Sequence, residues 1–521
     1  MNRAFWPLVA EIAGTEMTLR LRRFSTVIMV LLVLIGGFYM VPDPASGMTV
    51  ISSQDQRVQY NSIAVAIGGA SLATLLISLA GFYLISNSLS RDVRTRMGAI
   101  MAATPVSNTA LLLGKWLGNA GYLGCIVLAL IPGGMLVQSM RAEAPIVLAD
   151  YLSVYALVFI PQVLFVSAIS LWFESERWLR GRFGDFAYFI IWASMLSLTI
   201  NVGENMAMTS WQAMLDVTAM GFVIWQLTLA FDTNSLSIGA SDFDASLAPI
   251  VLPGIDWSMS WLRALALLPA LLVFAIAVLR FHRYNPDRVK ADAVTGGHAW
   301  WRGFNQRLGF LRALLRPLWA MLPRVPAPLR RILADVLMTF SATPIWLLLL
   351  LIGYGIAALT PADSLGMSLV FCLTVGALAC ADIGLRDRQS GMWPVLAGAP
   401  RLADSFLRWK FASALTTLVL FVAVTLLRML LQAPEQVLML LVGVLLCASA
   451  ALAMAIITQS AKLFAGAYLF LLYLSLNART EPMFDFAGIN AVATPSSMTG
   501  YAIASALALL LAWSVRRWQQ I

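Results

Sequence analysis

The stretch "RDVRTRMGAIMAATPVSNTALLLGKWLGNA", Arg91 to Ala120, puts four charges into its first six residues, breaks at a proline, and lies between two long apolar runs. Its surroundings explain why that is unusual. The 521 residues are 60% hydrophobic and 12% charged, and the mean hydropathy is +0.81. A soluble domain has roughly 45–50% apolar and about 25% charged residues. The composition is that of an all-α polytopic membrane protein, and the charged stretch is a loop helix between two of its spans.

A bilayer core takes about 20 mainly apolar helical residues to cross. Twelve segments qualify: Phe24–Val41, Ser62–Ser86, Ala110–Val137, Tyr151–Phe173, Phe186–Val202, Ala264–Phe281, Pro344–Leu359, Leu365–Ile383, Ser405–Leu431, Val437–Ile457, Leu463–Leu476 and Ser497–Ser514. The run at Phe24 is longer than the roughly 7–15 residues of a secretory h-region, so it reads as a retained span. The net charge of +9 is distributed along the chain, which points to topology rather than nucleic acid. Arg20, Arg22 and Arg23 precede the first span. Basic clusters then follow every second span: Arg91/Arg94/Arg96, Arg177/Arg180/Arg182, a long linker, Arg386/Arg388/Arg401 and Lys462, with Arg516 and Arg517 at the end. The intervening loops carry Asp43, Asp55, Glu143, Asp150, Asp363 and Glu435. By the positive-inside rule both termini are expected in the cytoplasm.

Two loops are long. Gly203 to Trp261 holds Glu204, Asp216, Asp232, Asp242, Asp244 and Asp256 with no lysine or arginine, and is expected outside. Its apolar piece Ala219–Phe231 is too short to span, leaving a re-entrant helix and a small external helix both open. Asp242 and Asp244 read as solvated loop acids. The other loop, His282 to Arg331, has ten basic residues against Asp287 and Asp292. Within it "WWRGFNQRLGFLRALLRPLWAML" (300–322) alternates arginines with Trp and Leu at helical spacing, as an amphipathic helix in an anionic membrane interface does.

Catalytic and metal chemistry find little support. The histidines, His282 and His298, share one linker, and Cys125, Cys372, Cys380 and Cys447 lie in apolar runs without ligand spacing. No nucleophile–base pair stands out. A phosphate-binding G-x-x-x-x-G-K-[ST] loop is expected to be absent, because Gly114-Lys115 is followed by Trp116. The expectation is a transport subunit rather than an enzyme, with no metal or cofactor of its own.

Shifting the chain by 295 residues lays Arg91, Asp92, Met97, Ala102, Pro105, Leu112 and Lys115 on Arg386, Asp387, Met392, Ala397, Pro400, Leu407 and Lys410. A weaker match pairs Arg182 and Ala187-Tyr188 with Lys462 and Ala467-Tyr468. The expected architecture is therefore two tandem, parallel six-helix repeats: 1–281, a basic linker 282–332, and 333–521. Residues 89–103 are expected to form one short helix ended by Pro105, Ser107 or Asn108 to cap the next helix, and Lys115 to snorkel towards headgroups.

The string at Arg91, above all "ATPVS…LLGKWLGN", resembles the cytoplasmic loop and third helix of ABC-2 type transporter permeases. The likeness covers about residues 1–285. Over 333–521, "LRDRQSGMWPVLAGAPR" keeps the layout but little detail. The resemblance implies an N-terminal interfacial helix at residues 1–23, a re-entrant segment at Ala219–Phe231, and a coupling helix seated on an ATP-binding subunit. That family often has an acid in the coupling helix, and Ala99 to Ala103 here has none. Carried onto this chain, the coupling positions are Arg91, Asp92, Arg94, Met97 and Pro105, with Arg386, Asp387, Met392 and Pro400 in the second half. The implied partners are two copies of a separate ABC ATP-binding protein, which binds the ATP and magnesium, together with membrane lipid and a transported substrate that the sequence does not identify; amphipathic, drug, peptide and lipid-like molecules all stay open. Export across a bacterial inner membrane follows from the same likeness. A competing expectation is a secondary transporter of the major facilitator type, which also has two six-helix halves. "GLRDRQSG" (Gly384–Gly391) looks like its loop signature with the spacing displaced, but the spans carry few ionisable groups for proton coupling.

Overall fold

The computed structural model describes residues 5–39, 41–44, 47–141, 143–176, 179, 182–200, 208–232, 236–252, 258, 260–281, 307–361, 364–477, 479 and 481–520. Arg177, Arg180, Glu204, Asp256, His282, Asp287, Asp292, His298, segment 300–306 and Asp363 lie outside these, as do the side chains of Arg94, Arg182, Pro400 and Arg401. The chain forms two compact units, Met1–Gly296 and Gly297–Ile521, which divide inside the segment read as a linker.

The first unit runs α1 (Phe5–Leu21), α2 (Phe24–Tyr39), α3 (Ser62–Ile85), α4 (Ser88–Arg94), α5 (Met97–Ala103), α6 (Asn108–Leu128), α7 (Leu130–Arg141), α8 (Leu148–Ser175), α9 (Arg182–Ile200), α10 (Ser210–Leu215), α11 (Met220–Phe231), α12 (Trp261–Leu265) and α13 (Leu267–Arg280). The second runs α14 (Arg312–Met321), α15 (Ala327–Ala342), α16 (Ile345–Leu359), α17 (Leu365–Cys380), α18 (Arg386–Gln389), α19 (Trp393–Ala397), α20 (Pro400–Gln432), α21 (Pro434–Thr458), α22 (Lys462–Asn477) and α23 (Pro495–Gln520). Within the described residues, each of the twelve apolar segments read from the sequence lies mainly on helix. Among the described residues seven helices are long and apolar enough to cross a membrane, or eight if α15 and α16, bent by 97° across Thr343-Pro344, count as one span.

Small residues set how closely these helices pack. A Cβ on Gly118 of α6 would lie 2.7 Å from the Ala13 carbonyl and 2.9 Å from Glu16 Cβ, so its absence lets α1 lie against α6. Gly133 likewise brings α7 against the Leu34 carbonyl of α2. On α3, Gly68 admits the side chain of Val50.

Val50 belongs to an element that the all-helical reading omitted. β1 (Met48–Ser53) pairs antiparallel with β2 (Gln56–Arg57) and with β3 (Leu236–Asp242), joining the loop after α2 to the long loop before α12. The same long loop holds α10 and α11, joined by a turn at Asp216–Ala219. Thr74 and Gln162, the midpoints of α3 and α8, anchor this turn: Thr74 Oγ1 donates to the Thr218 carbonyl at 2.7 Å, and Gln162 Nε2 donates to the Thr74 carbonyl at 2.8 Å. The turn therefore reaches half the depth of its neighbours, which favours the re-entrant alternative for Ala219–Phe231.

Gly118→Ala is expected to push α1 off α6 and lower stability by about 1–3 kcal/mol. Gly124→Ala, where a Cβ meets nothing within 4 Å, leaves it unchanged or raises it. Thermal unfolding of the two purified variants in one detergent checks the contrast.

Candidate functional site

The charged stretch at Arg91 lies where α1, α4, α6 and the end of α8 converge. α4 begins after Asn87, whose φ is 75°, and its first amides are capped from α8: the Glu174 carboxylate accepts from Ser88 N at 2.9 Å and Leu89 N at 2.6 Å. This leaves Arg91 and Asp92 facing the groove between α1 and α6. Lys115, on the turn between Gly114 and Gly118, extends into the same groove.

The side chains there form a knot. Lys115 Nζ lies 2.7 Å from Asp92 Oδ2 and 3.3 Å from Glu16 Oε2. Arg91 Nη2 reaches the same Glu16 oxygen at 2.6 Å, and Arg20 Nε donates to Glu16 Oε1 at 3.2 Å. Arg20 also donates to the Ile85 carbonyl at 2.7 Å, closing the end of α3. Lys115 is 2% exposed. It does not snorkel, because Gly114 and Gly118 bring α1 so close that two carboxylates meet the ammonium inside the protein. Burial pushes the Glu16 carboxyl up, but Lys115, Arg20 and Arg91 outweigh it and hold the group down at about 2.

The second unit has a corresponding arrangement under the 295-residue shift. Lys410 is 1% exposed, with Nζ 2.8 Å from Asp387 and 3.0 and 3.1 Å from the two oxygens of Asp335 on α15. Arg386 differs from Arg91. It pairs with Asp382 at 2.8 Å and donates to Thr339 Oγ1 at 2.6 Å, because the shorter Asp335 side chain gives both oxygens to Lys410.

Beyond each knot the loop turns back on itself. The single helix expected over 89–103 is two helices, broken where Arg96 takes a φ of +62°. The matching residue of the second unit is Gly391, with a φ of +73°. A left-handed residue ends one helix and re-aims the next. Ile100 on α5 is 60% exposed and Val395 on α19 is 66% exposed, with Met97, Pro105 and Met392 exposed beside them. Ser107, as expected, caps α6 by accepting from Ala110 N at 3.2 Å.

The expected coupling residues thus divide in two. Arg91, Asp92, Arg386 and Asp387 are engaged within the chain, whereas Met97, Pro105 and Met392 belong to exposed tips. Sequence reasoning missed Glu16, Glu174 and Asp335. One signal for Asp335 was available: it is the sole acid between Asp292 and Asp363. Among the described residues no group of three or more His, Cys, Asp or Glu side chains could hold a metal. Every knot carboxylate faces a cation or a backbone amide, so the arrangement can brace helices and transmit a displacement between tip and span.

These features define a helical membrane protein with a braced, tip-bearing loop in each of two units. No family model matches the chain, and no curated protein or solved structure matches it.

The depressed Glu16 carboxyl fixes a pH dependence. Its stabilisation is complete above the unfolded value of about 4.5 and is lost as pH falls towards about 2, an effect of about 3 kcal/mol. Glu16→Gln is expected to flatten the acid limb of a melting-temperature profile across that window. Lys410→Met strands Asp335 and Asp387 and is expected to cost about 3–5 kcal/mol, with Asp335→Asn in the same chain recovering much of the loss. Denaturant unfolding of the single and double variants tests this.

Proposed function

We propose that this chain is the membrane-spanning subunit of an ATP-driven exporter of the ABC-2 type, with both six-helix halves fused in tandem. In this reading the chain crosses a bacterial inner membrane twelve times, and both termini lie inside. Two copies of a separate ATP-binding protein, holding ATP and magnesium, seat on the α5 and α19 tips. The cargo, whose identity is open among amphipathic, drug, peptide and lipid-like molecules, moves outward. One observation carries the reading: at matching positions of both units, an exposed apolar tip stands directly on a buried lysine–carboxylate knot that reaches into apolar helices. A protein pushing on such a tip moves α6 or α20 through ionic contacts rather than through a compliant loop. The resemblance at Arg91–Asn119 and the 295-residue shift support the same reading.

The geometry also chooses the test residues. Reversing Arg91 or Arg386 would disturb ion pairs inside the chain, whereas Ile100 and Val395 can be changed from outside. Ile100→Glu with Val395→Glu is expected to weaken assembly with the ATP-binding protein at least about thirtyfold, as loss of a central apolar anchor does. The melting temperature of the isolated chain should stay the same. Co-purification with ATP-binding proteins encoded beside this one, followed by ATPase assay in nanodiscs, provides the readout.

The major facilitator alternative draws on a different observation, the buried Asp216–Arg263 pair at the α10–α11 turn, 3.7 Å apart. If no ATP-binding protein associates, and transport stops on collapse of the proton gradient and in Asp216→Asn, that alternative replaces the exporter.

A further inference from the structure

The segment before α15 has no role in the scheme above, and its geometry is specific. A 3-10 turn (Leu308–Leu311), α14 and a second 3-10 turn (Leu322–Arg324) make one rod. Leu311 and Leu315 are buried against Val336 and Phe340 of α15 and Trp346 and Leu350 of α16. Trp319 Nε1 donates to Ser341 Oγ at 3.1 Å. The rod is therefore fixed beside the first two turns of α16, at the end of that apolar helix nearest the Lys410 knot.

One face docked on protein leaves two others. Phe310 (69% exposed) and Leu314 (58% exposed) share a second face with the exposed Leu318 and Met321. Arg312 and Arg316, also exposed, lie roughly 180° round the rod from that apolar face. Arg307 and Arg324 flank its ends, and no acid occurs from residue 307 to 334. Such a stripe would be unfavourable in water. An apolar face on one side, arginines on the other, and a position at the mouth of an apolar helix together match a helix lying in a bilayer interface. The uniform positive charge fits acidic headgroups.

We infer that this rod is a docking surface for acidic phospholipid, with Phe310, Leu314, Leu318 and Met321 entering the acyl boundary and Arg312 and Arg316 engaging headgroup phosphates. It holds the α15–α16 elbow against the membrane surface. The inference is independent of whether ATP or an ion gradient drives transport.

The full chain with Leu314→Cys, in a Cys125→Ala background, would carry a nitroxide and be reconstituted into nanodiscs of phosphatidylcholine with and without phosphatidylglycerol. Collision with oxygen and with a water-soluble nickel chelate reports whether the label sits in lipid or in water. With phosphatidylglycerol the label is expected to gain oxygen contact and lose nickel contact. Adding Arg312→Gln and Arg316→Gln should lower the docked-to-undocked ratio roughly thirtyfold and return the label to water. The proposal is overturned if the label stays in water in both discs. It is also overturned if protection is equal with and without acidic lipid and survives in the arginine variant, or if protection requires an added ATP-binding protein.

Discussion

A lysine that cannot reach water organises the first unit. Lys115 is closed in by α1 on one side and α4 on the other, and an unpaired ammonium there would cost several kcal/mol. Glu16 and Asp92 must both be present, which fixes the rotation of α1 on α6 and the register of α4 against α6. Arg91 and Arg20 then neutralise the surplus acid, and Glu174 holds α4 in place by its amides. Such a network need not add net stability over a packed apolar cluster. It imposes one geometry out of several that helices with small-residue faces could adopt. The position of the α5 tip follows from that geometry.

At the opposite end the limiting requirement is backbone rather than charge. A chain that enters a bilayer without forming a full span must satisfy every amide and carbonyl internally. Pro161 in α8 leaves the Leu157 carbonyl without its helical donor, and Arg263 Nε supplies one at 3.3 Å. The same guanidinium donates to the Asp216 carbonyl, so the carbonyl freed by Pro161 and the α10–α11 turn share one cation. In the second unit a loop satisfies its backbone through one carboxylate. Residues 481–494 fold around the Asp485 carboxylate, which accepts from Ile489 N at 2.6 Å and Val492 N at 3.1 Å. Gly443 makes room for Phe486 and Ala487. Arg428, conspicuous in an apolar run, donates to the Ala357 carbonyl at 2.6 Å, where α16 runs out of internal donors.

What the sequence disclosed follows the range of its signals. Apolar runs and the 295-residue match are local patterns, so the helices and the two loops could be read directly. The knots are non-local. Glu16 and Lys115 lie 99 residues apart and Asp335 and Lys410 lie 75 apart, so no gap-free comparison aligns the two acids. The β1–β2 insertion between α2 and α3 contributes to that difference. Snorkelling was the natural expectation for Lys115 because nothing adjacent in sequence shows that α1 covers it. β3 lies in a polar loop with Gly239 in its middle, and its partner strand is far away in the chain, so periodicity alone could not identify it. The helix break at Arg96 is hidden in a similar way, since a left-handed arginine has no sequence signature; its glycine counterpart at 391 has one only once the two segments are aligned.

The two units solve the same packing problem in part alike and in part differently. They agree at the lysine, its two carboxylates, the left-handed break and the exposed tip. They differ at the far end, where one has a sheet and a half-depth helical pair and the other a compact loop. They also differ in the entry helix, since α15 meets α16 at 97° and carries an arginine-rich rod. In the first unit the α10–α11 turn is tied to α3, α8 and α12 through Thr74, Gln162 and Arg263, so it cannot shift without breaking polar contacts at the middle of two long helices. In the second the constraint is apolar instead: the rod packs Leu311 and Leu315 onto α15 and α16 and holds the elbow between them.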